Sequence, residues 1–184
     1  MKNRLFARNL IVMVFAVIAL ALAGCDQDDM TGGGWIELNS GKKVNFAFTF
    51  KCKSDDNGNA KVSGQLQYND HEKGVMFHGV ADSLIEGGTC NGLLDTWEGQ
   101  YCGTYTPQPR KLGEGGRFEI KVVDSGEKGP SKGDELTLTL VGGYHDGYGI
   151  DTKLAADGNF TEGNIQGGTI KGGNIKAHGA KSSE

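Results

Sequence analysis

The sequence predicts an all-β fold, either an antiparallel β-sandwich or, as the alternative, a β-barrel. Three observations carry this prediction. Apolar and polar residues alternate over several segments, which is the pattern of a strand with one buried face. These segments are separated by Gly-rich turns, and the chain has 31 Gly among its 184 residues. No segment after residue 24 has apolar residues at a helical spacing, so a helical domain is not expected.

The first group of strands is predicted on both sides of a turn that contains Asn57-Gly58, a pair that favours a tight hairpin. Before the turn, the apolar residues at every second position are Val44, Phe46, Phe48, Phe50 and Cys52. After it, Val62, Leu66 and Tyr68 alternate with Lys, Ser and Gln residues. The segment 75–80 (VMFHGV) predicts a third strand beside these two.

Three later segments show the same alternation of apolar and polar residues. Their apolar positions are Phe118, Ile120 and Val122, then Leu136, Leu138 and Leu140, then Tyr148, Ile150, Thr152 and Leu154. The segment 124–134 (DSGEKGPSKGD) lies between the first two and is rich in turn-forming residues. Together the segments predict seven to nine short strands, a number suited to a sandwich or a barrel.

A repeat near the C-terminus places Phe160, Ile165, Ile170 and Ile175 at a constant spacing of five. This spacing resembles the pentapeptide-repeat β-helix, but four repeats would make a single coil, and a solenoid needs several stacked coils. We therefore favour a Gly-rich terminal strand with a small internal duplication. In a regular strand an odd spacing would place these residues on alternate faces.

The N-terminal segment is typical of a secretory signal peptide. Lys2, Arg4 and Arg8 are followed by an apolar run over residues 10–23. The run is about 14 residues long, whereas a membrane-spanning helix needs roughly 20. The acidic segment 26–29 (DQDD) prevents the run from continuing as an uncleaved anchor.

The segment 22–25 (LAGC) resembles the lipobox of bacterial lipoproteins and matches it at all four positions. The resemblance implies cleavage before Cys25, a diacylglycerol thioether on Cys25, and acylation of the new amino group, for example with palmitate. Several acyl chains would hold the protein firmly on a bilayer. The sequence thus predicts a signal peptide at 1–24, a lipidated tether at 25–33, a β-domain at 34–176 and a flexible polar tail at 177–184.

The charge of the mature chain argues against nucleic-acid binding. Removing residues 1–24 leaves 16 Lys and Arg against 23 Asp and Glu, a net charge of −7. A nucleic-acid-binding protein needs a basic footprint, and this net charge gives no support to electrostatic binding of anionic lipid. The remaining 160 residues suffice for one domain with its own core.

Three cysteines remain after Cys25, and export into an oxidising compartment predicts one disulfide among them. Cys90 and Cys102 are close in sequence and are the favoured pair, with Cys52 and Cys90 as the alternative. The residue left over would be a buried thiol. Neither a CxxC nor an HxxxH motif is present, so no zinc site is predicted.

Two pairs of adjacent residues, Asp70-His71 and His145-Asp146, are candidates for metal binding or for acid–base chemistry. Each pair also lies beside a predicted turn, where Asp and His are common for structural reasons. Four aromatic residues are candidates for stacking on sugar rings, although core positions are the simpler interpretation: Trp35, Trp97, Tyr101 and Tyr105. The sequence therefore predicts no catalytic residue, no metal site and no cofactor.

Nearly all of the segment 32–178 resembles the post-COAP-type domain of bacterial secreted and surface proteins. The resemblance rests on GGGWIEL, VNFAFTFKCK, VSGQLQYNDHEKGVMFHGVADSL, FEIKVVDSGEKGPSKGDELTLTL and GGNIKAH. It is interrupted by GTYTPQPRKLGEGG, which has the character of an insertion, and by the repeated GGxI units. The family implies a β-sandwich at the cell surface or in the periplasm and brings no agreed activity.

The leading hypothesis is a non-enzymatic lipoprotein of the bacterial envelope, anchored in the inner or outer membrane, that acts as a binding or structural module. Its partners would be the bilayer, through Cys25, and an envelope protein or glycan. The first alternative is a periplasmic inhibitor or chaperone-like β-domain that inserts the loop 91–100 into an enzyme. The second alternative is a hydrolase with a histidine–carboxylate site.

Overall fold

The computed structural model describes residues 27–54, 57, 59–85, 97–126, 133–155 and 164–178. These residues form nine strands, which close into a single barrel in chain order. The strands are β1 (Gln27–Leu38), β2 (Lys43–Ser54), β3 (Ala60–Asp70), β4 (Val75–Leu84), β5 (Trp97–Pro107), β6 (Gly116–Asp124), β7 (Glu135–Val141), β8 (Tyr148–Asp151) and β9 (Asn164–His178). Two short 3-10 helices lie at Arg110–Leu112 and Thr152–Ala155.

The structure confirms the all-β class, and the architecture is the closed barrel rather than the sandwich. Each strand pairs antiparallel with the next from β1 to β8, β8 and β9 pair in parallel, and β9 pairs antiparallel with β1. The last pairing closes the sheet, so that the strands described here all have a neighbour on both sides. Closure removes the exposed sheet edges at which aggregation could start.

The predicted tether at 25–33 is wrong from residue 27 onward, because β1 begins at Gln27. Its residues pair with β2 on one side and with β9 on the other, and Met30 is only 3 % exposed. The segment was misinterpreted because its glycines interrupt the apolar alternation. Likewise β9 extends to His178, two residues into the predicted tail. The signal peptide and Cys25 lie outside the described residues.

Inward-facing residues of the predicted strands fill the barrel. Phe46, Phe48 and Phe50 on β2 stack in a row, with ring centroids 6.2 and 5.0 Å apart, and Tyr101 on β5 continues the row at 4.4 Å. Gly32 on β1 lies opposite Phe48 on β2. A Cβ atom added at Gly32 would collide with the Phe48 ring. The glycines of β1 therefore make room for the aromatic rings of β2.

The terminal repeat forms one long strand, which agrees with the favoured interpretation. A β-bulge in β9 allows residues that are five positions apart to face the same side of the strand. Trp35 pairs with Gly172 while Ile36 pairs with Ile170, so Lys171 is an extra residue. The extra residue reverses the alternation, and both Ile170 and Ile175 are buried as a result. Phe160 lies outside the described residues.

Two other segments differ from the sequence prediction. The strand predicted from Tyr148 to Leu154 ends at Asp151, and a 3-10 helix follows it. In this helix the Thr152 hydroxyl accepts a hydrogen bond from the Leu136 amide at 2.8 Å. The apparent insertion after residue 102 begins inside β5, which continues to Pro107. Only the 3-10 turn at Arg110–Leu112 and its flanks project from the sheet there.

Candidate functional site

A groove of about 1040 Å³ crosses the outer surface of the barrel over five neighbouring strands, β9, β1, β2, β3 and β4. We call it the outer groove. The side chains that line it come mostly from the outward-facing positions of these strands, since the inward positions belong to the core. Its lining residues are Thr31, Gly32, Gly33, Ala47, Phe48, Thr49, Lys51, Ser63, Gly64, Gln65, Gln67, Val80, Ala81, Asn174, Lys176 and His178.

Small residues create the depth of the outer groove. Gly33 and Ala47 lie opposite each other on β1 and β2, where larger side chains would fill the space between the flanking strands. A Cβ atom added at Gly33 would meet the Ala47 Cβ at 3.7 Å, an ordinary van der Waals distance. Steric crowding therefore does not require glycine at this position, and a large side chain here would occupy the groove.

The outer groove carries positive charge at its rim, above a floor that is largely apolar. Lys51 and Lys176 are exposed, and Thr31 Oγ1 lies 3.1 Å from His178 Nε2. Among the residues that the structure describes, no Asp or Glu lines the groove, and Asp29 on β1 lies at its end, paired in register with Lys51 and His178. This local surface contrasts with the net charge of −7 expected for the mature chain.

Charges on the opposite side of the barrel are paired with each other. Lys121 Nζ on β6 lies 2.7 Å from Glu98 Oε1 on β5. Lys153 Nζ lies 2.7 Å from Glu135 Oε2 on β7. The Glu98 carboxyl is partly buried, which would raise its pKa, but hydrogen bonds from Lys121 and Gln100 outweigh the burial and lower it. Within the described ranges, neither groove lysine takes part in an ion pair.

The first candidate acid–base pair is separated by the fold. Asp70 ends β3 and is fully buried, whereas His71 is exposed in the following turn. Asp70 Oδ2 accepts hydrogen bonds from the Tyr148 hydroxyl at 2.8 Å and from Gln166 Nε2 at 3.2 Å. Its Oδ1 accepts two backbone N–H groups of the β3–β4 turn at 2.9 and 3.1 Å. Asp70 is therefore a structural carboxylate.

Two tyrosines extend this buried network. Because the Tyr148 hydroxyl donates to Asp70, it accepts from the Tyr68 hydroxyl, 2.6 Å away. Burial raises the pKa of both phenols well above the usual range, so both stay protonated and continue to donate. We call Tyr68, Asp70, Tyr148 and Gln166 the buried network.

The second candidate pair is separated as well. His145 is buried and stacks on the Tyr105 ring with centroids 6.1 Å apart, while Asp146 is exposed and accepts a hydrogen bond from the Gly142 amide at 2.6 Å. Burial lowers the pKa of His145, which keeps its imidazole neutral at pH 7. In the part of the chain that the structure describes, no three His, Cys, Asp or Glu residues are grouped to hold a metal ion.

The favoured disulfide, Cys90 with Cys102, is contradicted because Cys102 is a free, buried thiol on β5. Its Sγ lies 3.3 Å from the Leu84 carbonyl oxygen and 3.6 Å from Arg117 Nη2. Cys52 is the disulfide-bonded cysteine, and its partner lies outside the described residues. The loop proposed for the inhibitor hypothesis is thus not closed at Cys102, and its residues 97–100 belong to β5.

The four aromatic candidates do not form a sugar-stacking platform. Tyr101 and Tyr105 are buried in the core. Trp35 faces outward but is covered by Lys43, whose Nζ lies 4.1 Å from the centroid of the indole ring. The side chain of Trp97 lies outside the described residues.

No single segment of the sequence predicts the outer groove, because its polar residues are distributed over five strands. A signal was present in the outward positions of β2 and β3, where Ala47, Thr49, Ser63, Gln65 and Gln67 follow one another without a carboxylate.

Among the residues that are described, no helix is long and apolar enough to cross a membrane. Comparisons of the chain with models of protein families, with curated proteins and with solved structures give no match.

Proposed function

We propose that this protein is a lipid-anchored, non-enzymatic binding module of the bacterial envelope, held on the exported side of a membrane by acylated Cys25. The binding surface in this proposal is the outer groove. The observation that carries the binding role is a groove floor without large side chains, at Gly33 and Ala47, together with exposed Lys51 and Lys176. A volume of about 1040 Å³ is at the upper end of the range for small-ligand sites.

The lipobox match at 22–25 and the start of β1 support the anchoring role. Gln27 is only two residues after Cys25, so a lipid on Cys25 would hold the barrel directly at the bilayer surface. The strand ends at this end of the barrel include Gln27, Lys53 and His178. The outer groove would then open beside the membrane, where envelope polymers are within reach.

The anchor is tested by intact mass and fractionation of the protein made in its native host, as wild type and as Cys25→Ala. We expect a wild-type mass of residues 25–184 plus acyl chains, recovered with membranes. The alanine variant has no thiol to acylate, so it should lose membrane association completely. A soluble and unacylated wild type, or one that retains residues 1–24, would contradict the proposal.

The disulfide of Cys52 gives an independent test. Among the four cysteines, Cys102 is free, so the partner of Cys52 is Cys25 or Cys90. A thioether on Cys25 would leave only Cys90. The connection that carries Cys90 leaves β4 at Leu84 and enters β5 at Trp97, and both lie at the same end of the barrel as Cys52.

We therefore expect non-reducing peptide mapping to yield a peptide pair linked through Cys52 and Cys90. The matched control is the Cys102→Ser variant, which should give the same pair because its thiol is free. A peptide linked through Cys25 and Cys52 would contradict lipid attachment at Cys25 and would leave an exported, unanchored barrel.

A further inference from the structure

We infer that the outer groove binds an acidic oligosaccharide, a chain of hydroxyl-bearing rings that also carries carboxylate groups. This inference rests on the binding role proposed above and adds the chemical class of the ligand. It does not depend on the lipid anchor, since the groove belongs to the barrel.

The neutral side chains of the groove indicate a ligand that both donates and accepts hydrogen bonds. Gln65 and Gln67 on β3 and Asn174 on β9 each offer an amide donor and a carbonyl acceptor. Thr49 and Ser63 add hydroxyls, each of which can donate or accept a hydrogen bond. Sugar hydroxyls have the same double character. A ligand with phosphates alone would leave the amide carbonyls without a donor.

The charges of the groove indicate that the ligand is anionic. Lys51 and Lys176 are exposed on either side of β1, which lies between β2 and β9. No carboxylate lines the groove between them, and in the described ranges both lysines are outside the ion pairs of the barrel. Negative groups on a ligand would therefore meet Lys51 and Lys176, with Asp29 as the neighbouring carboxylate at the end of the groove.

The dimensions of the groove indicate a chain rather than a single small molecule. Adjacent strands are about 4.8 Å apart, so five strands extend over about 19 Å. The floor between the polar side chains is formed by Gly33 and Ala47 and is bordered by Val80. Apolar patches of this kind suit the faces of sugar rings, while the polar rows on either side suit their hydroxyls.

Binding is tested with the full protein purified from its host, using isothermal titration against defined probes. The acidic probes are tetragalacturonate and the hyaluronan tetrasaccharide. The neutral probe is maltotetraose, and glycerophosphoglycerol represents the headgroup of an anionic lipid. We expect an acidic tetrasaccharide to bind, with affinity that falls as salt is added because exposed charges are screened.

The variant Gly33→Leu should abolish binding, because its side chain would fill the groove. The matched control Thr104→Leu places the same side chain at an exposed position of β5, outside the groove, and should bind within about twofold of wild type. The Lys51→Gln and Lys176→Gln substitutions should each weaken binding about tenfold, as expected for one charge-assisted hydrogen bond. Lys42→Gln makes the same charge change in the β1–β2 turn, away from the groove, and should have no effect.

Circular dichroism and thermal unfolding of each variant would separate loss of binding from loss of fold. Failure of both acidic probes to bind the folded protein would overturn the inference, as would equal binding of maltotetraose. Binding of glycerophosphoglycerol alone would overturn it in favour of a lipid headgroup. None of these results depends on the acylation of Cys25, which intact mass measures separately.

Discussion

Replacing Asp70 with alanine is expected to lower the free energy of unfolding by about 4 kcal/mol, the range for removing one partner from a buried charged network. The Asp70 carboxylate is fully buried and accepts four hydrogen bonds. The substitution removes all four acceptor interactions. It leaves the buried Tyr148 hydroxyl and the half-buried Gln166 amide without the acceptor of their protons, and a buried donor that loses its acceptor is costly.

The position of Asp70 makes the effect larger than that of an ordinary turn residue. Through Oδ1 the carboxylate holds the β3–β4 turn, and through Oδ2 it binds β8 and β9. These strands are far apart in the sequence, and β8 has only four residues with which to hold its place. We therefore expect Asp70→Ala to loosen the barrel where β8 and β9 pair.

Two variants serve as matched controls for Asp70→Ala, with urea unfolding followed by Trp fluorescence. Asp70→Asn keeps an oxygen for the turn amides, and Tyr148 can rotate to accept from the new amide, so the loss should be only about 1.5 kcal/mol. Tyr148→Phe removes one hydrogen-bond donor and leaves the Asp70 carboxylate with three. We expect it to lower the free energy of unfolding by about 1.5 kcal/mol. A loss below about 1 kcal/mol for Asp70→Ala would show that the network does not stabilise the fold.

Replacing Gly173 with alanine is expected to cost about 3 kcal/mol of unfolding free energy. Gly173 has a φ of 98°, in the left-handed region where a side chain is strained. An added Cβ would also collide with the carbonyl oxygen of Gly33 on β1. Since both colliding groups are fixed by backbone pairing, β1 and β9 would have to separate at the point where the barrel closes.

Gly33→Ala is the matched control for Gly173→Ala, because it makes the same change on the neighbouring strand. Gly33 lacks a positive φ, and its added Cβ would have only ordinary contacts. Its free energy of unfolding should stay within about 0.5 kcal/mol of wild type. Equal effects of the two substitutions in thermal unfolding would contradict the role assigned to Gly173.

The strands with regular alternation were predictable from sequence. On β2 the buried positions are the apolar residues from Val44 to Cys52, and the residues between them are exposed. The leucines of β7 follow the same rule, and so do Phe118, Ile120 and Val122 on β6. The rule holds because successive side chains of a strand point to opposite faces, so that burial of one face imposes a period of two.

The segments that misled the sequence analysis are those in which glycine replaces the inward apolar residue. In β1 the space at Gly32 is occupied by the Phe48 ring, so the strand carries too few apolar residues to be recognised. The favoured cysteine pair, Cys90 with Cys102, was also mispredicted, because closeness in sequence does not place two side chains together. The alternative pair, Cys52 with Cys90, stays a prediction. Cys102 points away from the core that surrounds Cys52.

The sequence by itself determined the all-β class, the faces of most strands, and the expectation of an exported, lipidated chain, because each depends on local patterning. Tertiary structure alone decided that the sheet closes, since closure requires β1 and β9 to meet from opposite ends of the chain. It also decided where the polar residues converge. Asp70 lies in the buried network, and residues of five strands line the outer groove. Both arrangements depend on strand pairing, which places residues side by side that are far apart in the sequence.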